Sequence, residues 1–136
     1  MRASRAKGRD RGAAAIEMAL VLPLLLLVLG GIIDFGRLFG AQMTITQASR
    51  EGARIKALGL SDSDMNTRVG AAANGMAVSA TTVTACPNQP ALTDAAVVRV
   101  SHVFDFIVLD SVINLFGGGW ASGITLTSTG SMRCTG

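Results

Sequence analysis

Few side chains in this sequence could carry chemistry, and they do not converge. There is one histidine, His102, and there are two cysteines, Cys86 and Cys134. No Ser/His/acid set and no glycine-rich loop after a strand is legible, so neither nucleophilic catalysis nor phosphate binding has a residue set behind it. A metal site built from His102, Cys86 and Cys134 would have three ligands without the close pairwise spacing of zinc motifs. His102 lies on the apolar face of an alternating segment, where a satisfied core or edge histidine is the ordinary outcome. The expectation is therefore no enzyme activity, no metal and no cofactor. The informative ionisable residue is Glu17, set in front of the apolar run from Met18 to Ile33 (MALVLPLLLLVLGGII). A carboxylate about one turn into a membrane helix costs roughly 3 kcal/mol if buried and usually has a function. The plainer reading has it snorkelling to the interface beside the arginines that precede it.

The element that positions Glu17 is the apolar segment itself. At about 1.5 Å per residue, Ala13 to Ile33 reaches about 31 Å, enough for a bilayer core. A secretory signal peptide is the main rival, but its apolar region would contain Glu17, and Gly30-Gly31-Ile32-Ile33-Asp34-Phe35 offers no A-x-A cleavage pattern. A buried helix of a soluble protein does not account for so unbroken a Leu/Val run. The charge distribution favours the membrane. Residues 1–12 hold Arg2, Arg5, Lys7, Arg9 and Arg11 against Asp10, while the whole chain has a net charge of only +3. The pI near 9.5 thus belongs to a short leader and not to a nucleic-acid-binding face. By the positive-inside rule the leader is cytoplasmic and the C-terminal part lies across the membrane. Pro23 removes one backbone donor inside the helix, and a bend is expected there.

The helical pattern continues past Asp34. Phe35, Leu38, Phe39, Met43, Ile45, Ala48, Gly52, Ile55 and Leu58 recur at three-to-four spacing, and Gly59 is a natural stop. The stripe outside the lipid must pack against the chain's own strands or against neighbouring subunits. Ser61 and Asp64 form a helix-start signal for a second helix reaching about Val78. Strands follow at Thr81 to Cys86, Ala95 to Phe106 and Gly123 to Met132; in the middle one Val98, Val100, His102, Phe104 and Phe106 share a face. Between the last two, Phe106, Leu109, Val112, Ile113 and Phe116 have helical spacing, with Asp110 as a plausible cap and three glycines before Trp120. This segment is either a core helical turn or an apolar lobe that touches a partner or the outer bilayer surface.

The fold class that follows is α+β: a long N-terminal transmembrane helix with a small antiparallel β-sheet packed on its outer half. The expected organisation is a basic leader at 1–12, the membrane helix at 13–34, its extramembrane continuation at 35–59 and a small α+β domain at 60–136. So thin a core, with no tyrosine and one tryptophan, calls for a crosslink or a partner. The topology puts Cys86 and Cys134 in an oxidising compartment, where a disulfide between them is expected.

Gly12 stands directly before the apolar helix. Cleavage after it would make Ala13 a free N-terminus, with Glu17 four residues on from a cationic α-amine. From Arg11 to Gly59 the chain resembles the TadE-like minor pseudopilins of the tight adherence branch of type IV pili. The resemblance is carried by Gly before the cut, Glu five residues in, A-L-x-L-P in the apolar helix, Asp34-Phe35-Gly36-Arg37, and the A-x-R-E-G-A-R box from Ala48 to Arg54. The Gly-to-Glu spacing alone is common; joined to both downstream boxes it is specific. Met18 departs from the family, which usually has an aromatic after the Glu, a difference that bears on local packing.

The resemblance implies a non-enzymatic subunit of the bacterial inner membrane, single-pass, with its C-terminal domain periplasmic or extracellular. A prepilin peptidase would cut between Gly12 and Ala13. The mature subunit would initiate, prime or cap an adhesive pilus, with Glu17 neutralising an N-terminal amine. Its implied partners are the peptidase, other pilins and pseudopilins through the N-terminal helix, the pilus assembly platform and the lipid bilayer. The alternative is a membrane-tethered domain that keeps its leader and never assembles.

Overall fold

The computed structural model describes residues 7–115, 117–118 and 123–134, with side chains from Gly12 onward within the first helix. The first six residues of the leader, Phe116 and Trp120 lie outside the described residues. The chain is α+β, with the order α1 (Lys7–Ala57), α2 (Asp62–Ala72), β1 (Ser79–Thr84), β2 (Ala95–Phe104), α3 (Val108–Leu115) and β3 (Ile124–Arg133). Two compact units divide it. One comprises residues 1–35 with 107–120, the other 36–106 with 121–136.

α1 is one unbroken helix of 51 residues with Pro23 inside it. Helix starts and stops elsewhere follow local chemistry. α1 ends in a Schellman turn: Gly59 takes φ +73°, its N–H donates to the Lys56 carbonyl, and the Leu60 N–H donates to Ile55. α2 opens on a capping box, in which Ser61 Oγ accepts the Asp64 N–H at 3.1 Å and the Asp64 carboxylate accepts the Ser61 N–H at 3.3 Å. Lys56 bridges to Asp62 at 3.0 Å. The Lys56 ammonium, helped by the Thr82 hydroxyl, holds the Asp62 carboxyl below its usual range. α2 ends at Ala72, short of the expected Val78. Asn74 and Gly75 both take positive φ, which helical backbone cannot accommodate.

The sheet is antiparallel in the order β1-β2-β3, with an irregularity in β1 between Thr82 and Thr84. β2 pairs with β3 without a break from Ala95 opposite Arg133 to Phe104 opposite Ile124. The strands begin and end within two residues of the expected positions. Ala96, Val98, Val100 and Phe104 alternate into the core, where Val98 and Val100 meet Ile45, Ala48, Ala53, Ile55, Met65 and Val69. The sheet and α2 thus pack on the outer part of α1.

Half of the expected α1 stripe does not enter this core. Ile45, Ala48, Gly52 and Ile55 are buried, whereas Phe35, Phe39, Met43 and Leu58 are more than half exposed. The reason is angular. Phe39 and Met43 lie close to the side of the helix opposite Ala41, Ile45, Ala48 and Gly52 at 100° per residue.

Cys86 and Cys134 are joined by a disulfide, with Cα atoms 5.7 Å apart and a sequence separation of 48. The bond ties the segment after β1 to the end of β3. Beside it the Cys134 N–H donates to the Asp94 carbonyl at 3.0 Å.

Candidate assembly surface

In the first unit, α1 from Gly12 to Ile33 presents apolar side chains outward on all sides. Ile16, Leu20, Leu24 and Ile32 are each about two-thirds exposed or more, and Gly30 is the buried position among these residues. α1 is the one helix among the described residues long and apolar enough to cross a membrane. Glu17 is the lone ionisable side chain between Gly12 and Asp34, and it is exposed beside Ala14, Met18 and Val21. The Gly12–Ala13 bond lies inside the helix, which already runs from Lys7.

The apolar run ends on Asp34, whose side chain is fully buried. Its carboxylate accepts the backbone N–H groups of Ile107 at 3.4 Å, Val108 at 2.9 Å and Leu109 at 2.8 Å. These are orphan donors at the start of α3, whose own cap position holds Ile107, a residue with no acceptor to offer. Asp110, the expected cap, stands inside the first turn of α3, and its carboxylate accepts from Asn114 Nδ2 at 3.0 Å. The cap therefore comes from a different helix. Gly30 admits α3 for the same reason, since a Cβ there would come within 2.5 Å of Val108 Cγ1. The sequence signal for this role was a lone acid closing an apolar run, while Asp110 drew the expectation of a cap to α3's own chain.

In the second unit, Arg37 lies over the ring of Phe104 at 5.1 Å, and Phe104 packs edge-on against Phe106 at 5.4 Å. The A-x-R-E-G-A-R box divides by face. Ala48, Gly52 and Ala53 are buried, and a Cβ on Gly52 would come within 2.9 Å of Val69 and 3.0 Å of Val98. Ser49, also buried, lies 3.2 Å from the Ser128 hydroxyl, and the backbone of Ser49 and Arg50 meets Gly130 of β3 with no room for a side chain. Glu51 lies 3.6 Å from Arg54 and 4.0 Å from Arg68 through Oε2, a covered oxygen without a hydrogen bond. Small residues at these positions let the sheet reach the helix backbone.

His102 sits on the central strand β2 with Nδ1 at 2.7 Å from the Ala77 carbonyl, a histidine satisfied by backbone. No group of His, Cys, Asp or Glu among the described residues is arranged to hold a metal ion. Gly12, Ala13, Glu17 and Pro23 share α1; Cys86 and Cys134 come together through their bond.

No curated protein and no solved structure matches this chain. The family model described as TadE-like protein matches residues 12–54, about a third of the sequence. That span runs from Gly12 through the exposed apolar helix and Asp34 to the end of the A-x-R-E-G-A-R box, and over it the chain is similar to the TadE-like family.

Proposed function

We propose that this protein is a minor pilin-type subunit of a tight adherence pilus, cleaved between Gly12 and Ala13 and assembled through α1. The observation that carries the reading is the TadE-like helix itself, apolar and exposed from Ala13 to Ile33 with Glu17 as its lone charge. Such a surface demands lipid before assembly and neighbouring helices after it. In the second unit Phe39 and Met43 are exposed as well.

In this account the leader arginines hold the N-terminus on the cytoplasmic side, and a prepilin peptidase releases the Ala13 α-amine. That amine titrates near pH 8 and is cationic at neutral pH. Packed among apolar helices without a counter-charge it would be strongly disfavoured. Glu17 supplies the counter-charge, to its own N-terminus or to a neighbour's. The subunit then initiates, primes or caps the filament, without enzymatic chemistry of its own.

Glu17→Gln tests this role. Insertion and cleavage should persist, because the helix becomes more apolar and the peptidase reads Gly12 and the leader. Pilus number, or co-purification with the other pilus subunits, should fall. Normal assembly at normal subunit levels would leave Glu17 as an interfacial charge only.

A further inference from the structure

α3 carries apolar surface to which the reading of α1 assigns no role. Val108, Leu109, Val112 and Ile113 enclose a small apolar pocket with Leu27 and Gly30 of α1, yet all four remain half-buried. Ile107 and Leu115, at the two ends, are 59% and 82% exposed. The polar side chains Asp110, Ser111 and Asn114 gather on the opposite side at helical spacing. They are largely satisfied within the helix: Ser111 Oγ donates to the Ile107 carbonyl at 2.6 Å, and Asn114 donates to Asp110. The first amides of α3 are held by Asp34. The helix therefore asks little of water except along one polar edge.

α3 packs on α1 at Leu27 and Gly30, within the apolar run and short of Asp34, and at that level Leu26, Leu29, Ile32 and Ile33, on the other side of α1, are all about half exposed or more. The level of α1 that is apolar and exposed is therefore the level at which α3 sits. We infer that α3 is an interfacial helix that lies on the lipid bilayer, at the headgroup boundary where α1 leaves the hydrocarbon. The inference rests on the reading of α1 as the membrane span. Its polar edge faces headgroups, and its apolar side reaches the upper acyl chains beside Leu27 to Ile33. α3 has no Lys or Arg, so insertion of apolar area holds it there and not attraction to anionic lipid. Its depth should not change between neutral and anionic membranes.

The test uses the full chain, carrying Trp120→Phe and one new tryptophan, in phosphatidylcholine vesicles whose acyl chains bear bromine either near the headgroup or near the terminus. Retention of the Cys86–Cys134 bond checks the fold of each variant. Leu25→Trp should be quenched most by terminal bromines, Leu115→Trp most by bromines near the headgroup, and Leu92→Trp by neither. Adding phosphatidylglycerol should leave the Leu115→Trp result unchanged. Quenching of Leu25→Trp without quenching of Leu115→Trp would overturn the inference while leaving the span intact. A Leu115→Trp emission that is blue-shifted but unquenched would overturn it in favour of a second copy of the chain. Absence of quenching at both positions would remove the span and α3's membrane seat together.

Discussion

The carboxylate of Asp34 accepts the backbone N–H of Leu109 at 2.8 Å across 75 residues of chain. A helix that cannot cap itself is started by an acid from another helix, and the acid is buried by the helix it starts. Substitution of Asp34 should therefore act on α3 before it acts on anything else. Asp34→Ala leaves up to three part-buried amides unpaired, at up to roughly 1–3 kcal/mol for each that water does not reach. Amide hydrogen exchange of Val108 to Leu115 should accelerate, while the β2–β3 ladder keeps its protection. Asp34→Asn, which retains an acceptor, should show a smaller change. Unaltered exchange in Asp34→Ala would show that α3 starts without this cap.

Two glycines of α1 should respond to alanine with opposite signs. A Cβ at Gly40 meets nothing within 4 Å, so Gly40→Ala should stabilise the isolated protein by about 0.5–1 kcal/mol through helix propensity. Gly52 is pressed by Val69 and Val98, and Gly52→Ala should destabilise by about 1–3 kcal/mol through overpacking. Chemical denaturation midpoints of the two variants, read side by side, check the contrast.

The Cys86–Cys134 bond closes a loop of 48 residues around a core of modest size. Its loss, through Cys86→Ser or Cys134→Ser, should cost about 4 kcal/mol in the chain-entropy account, within a range of roughly 2–5. Membrane insertion should survive, because the apolar helix lies wholly outside the loop. A denaturation midpoint that does not change on reduction would contradict the bond's structural role.

Much of this architecture was legible in the sequence because it follows from local rules. The apolar run, the Gly59 stop, the Ser61 capping box and the alternation at Val98 and Val100 each depend on residues near in sequence. What escaped depends on residues far apart. Asp34 belonged to a recognisable box, but its burial and its role as a cap require α3 to return after some seventy residues. The apolar residues of α1 beyond Asp34 read as one stripe, whereas Ile45 faces the core and Phe39 faces away, because spacings of three and four leave room for two faces. Gly52 read as one small member of the stripe and Gly130 as part of a strand; the need for glycine at both comes from the close approach of sheet and helix. The possible roles of Gly12, Ala13 and Glu17 were visible only as spacing around an apolar helix, and their chemistry depends on molecules beyond this chain.

The central claim is that the subunit is processed and then assembled through its new N-terminus, and the N-terminus itself is the most direct test. Membrane-extracted protein from cells with an active prepilin peptidase should be analysed by N-terminal sequencing or intact mass, alongside Gly12→Val, whose branched side chain should block the cut. The account predicts that the wild-type chain begins at Ala13 and the variant retains its leader. Recovery of wild-type protein beginning at Met1 in those cells would contradict it.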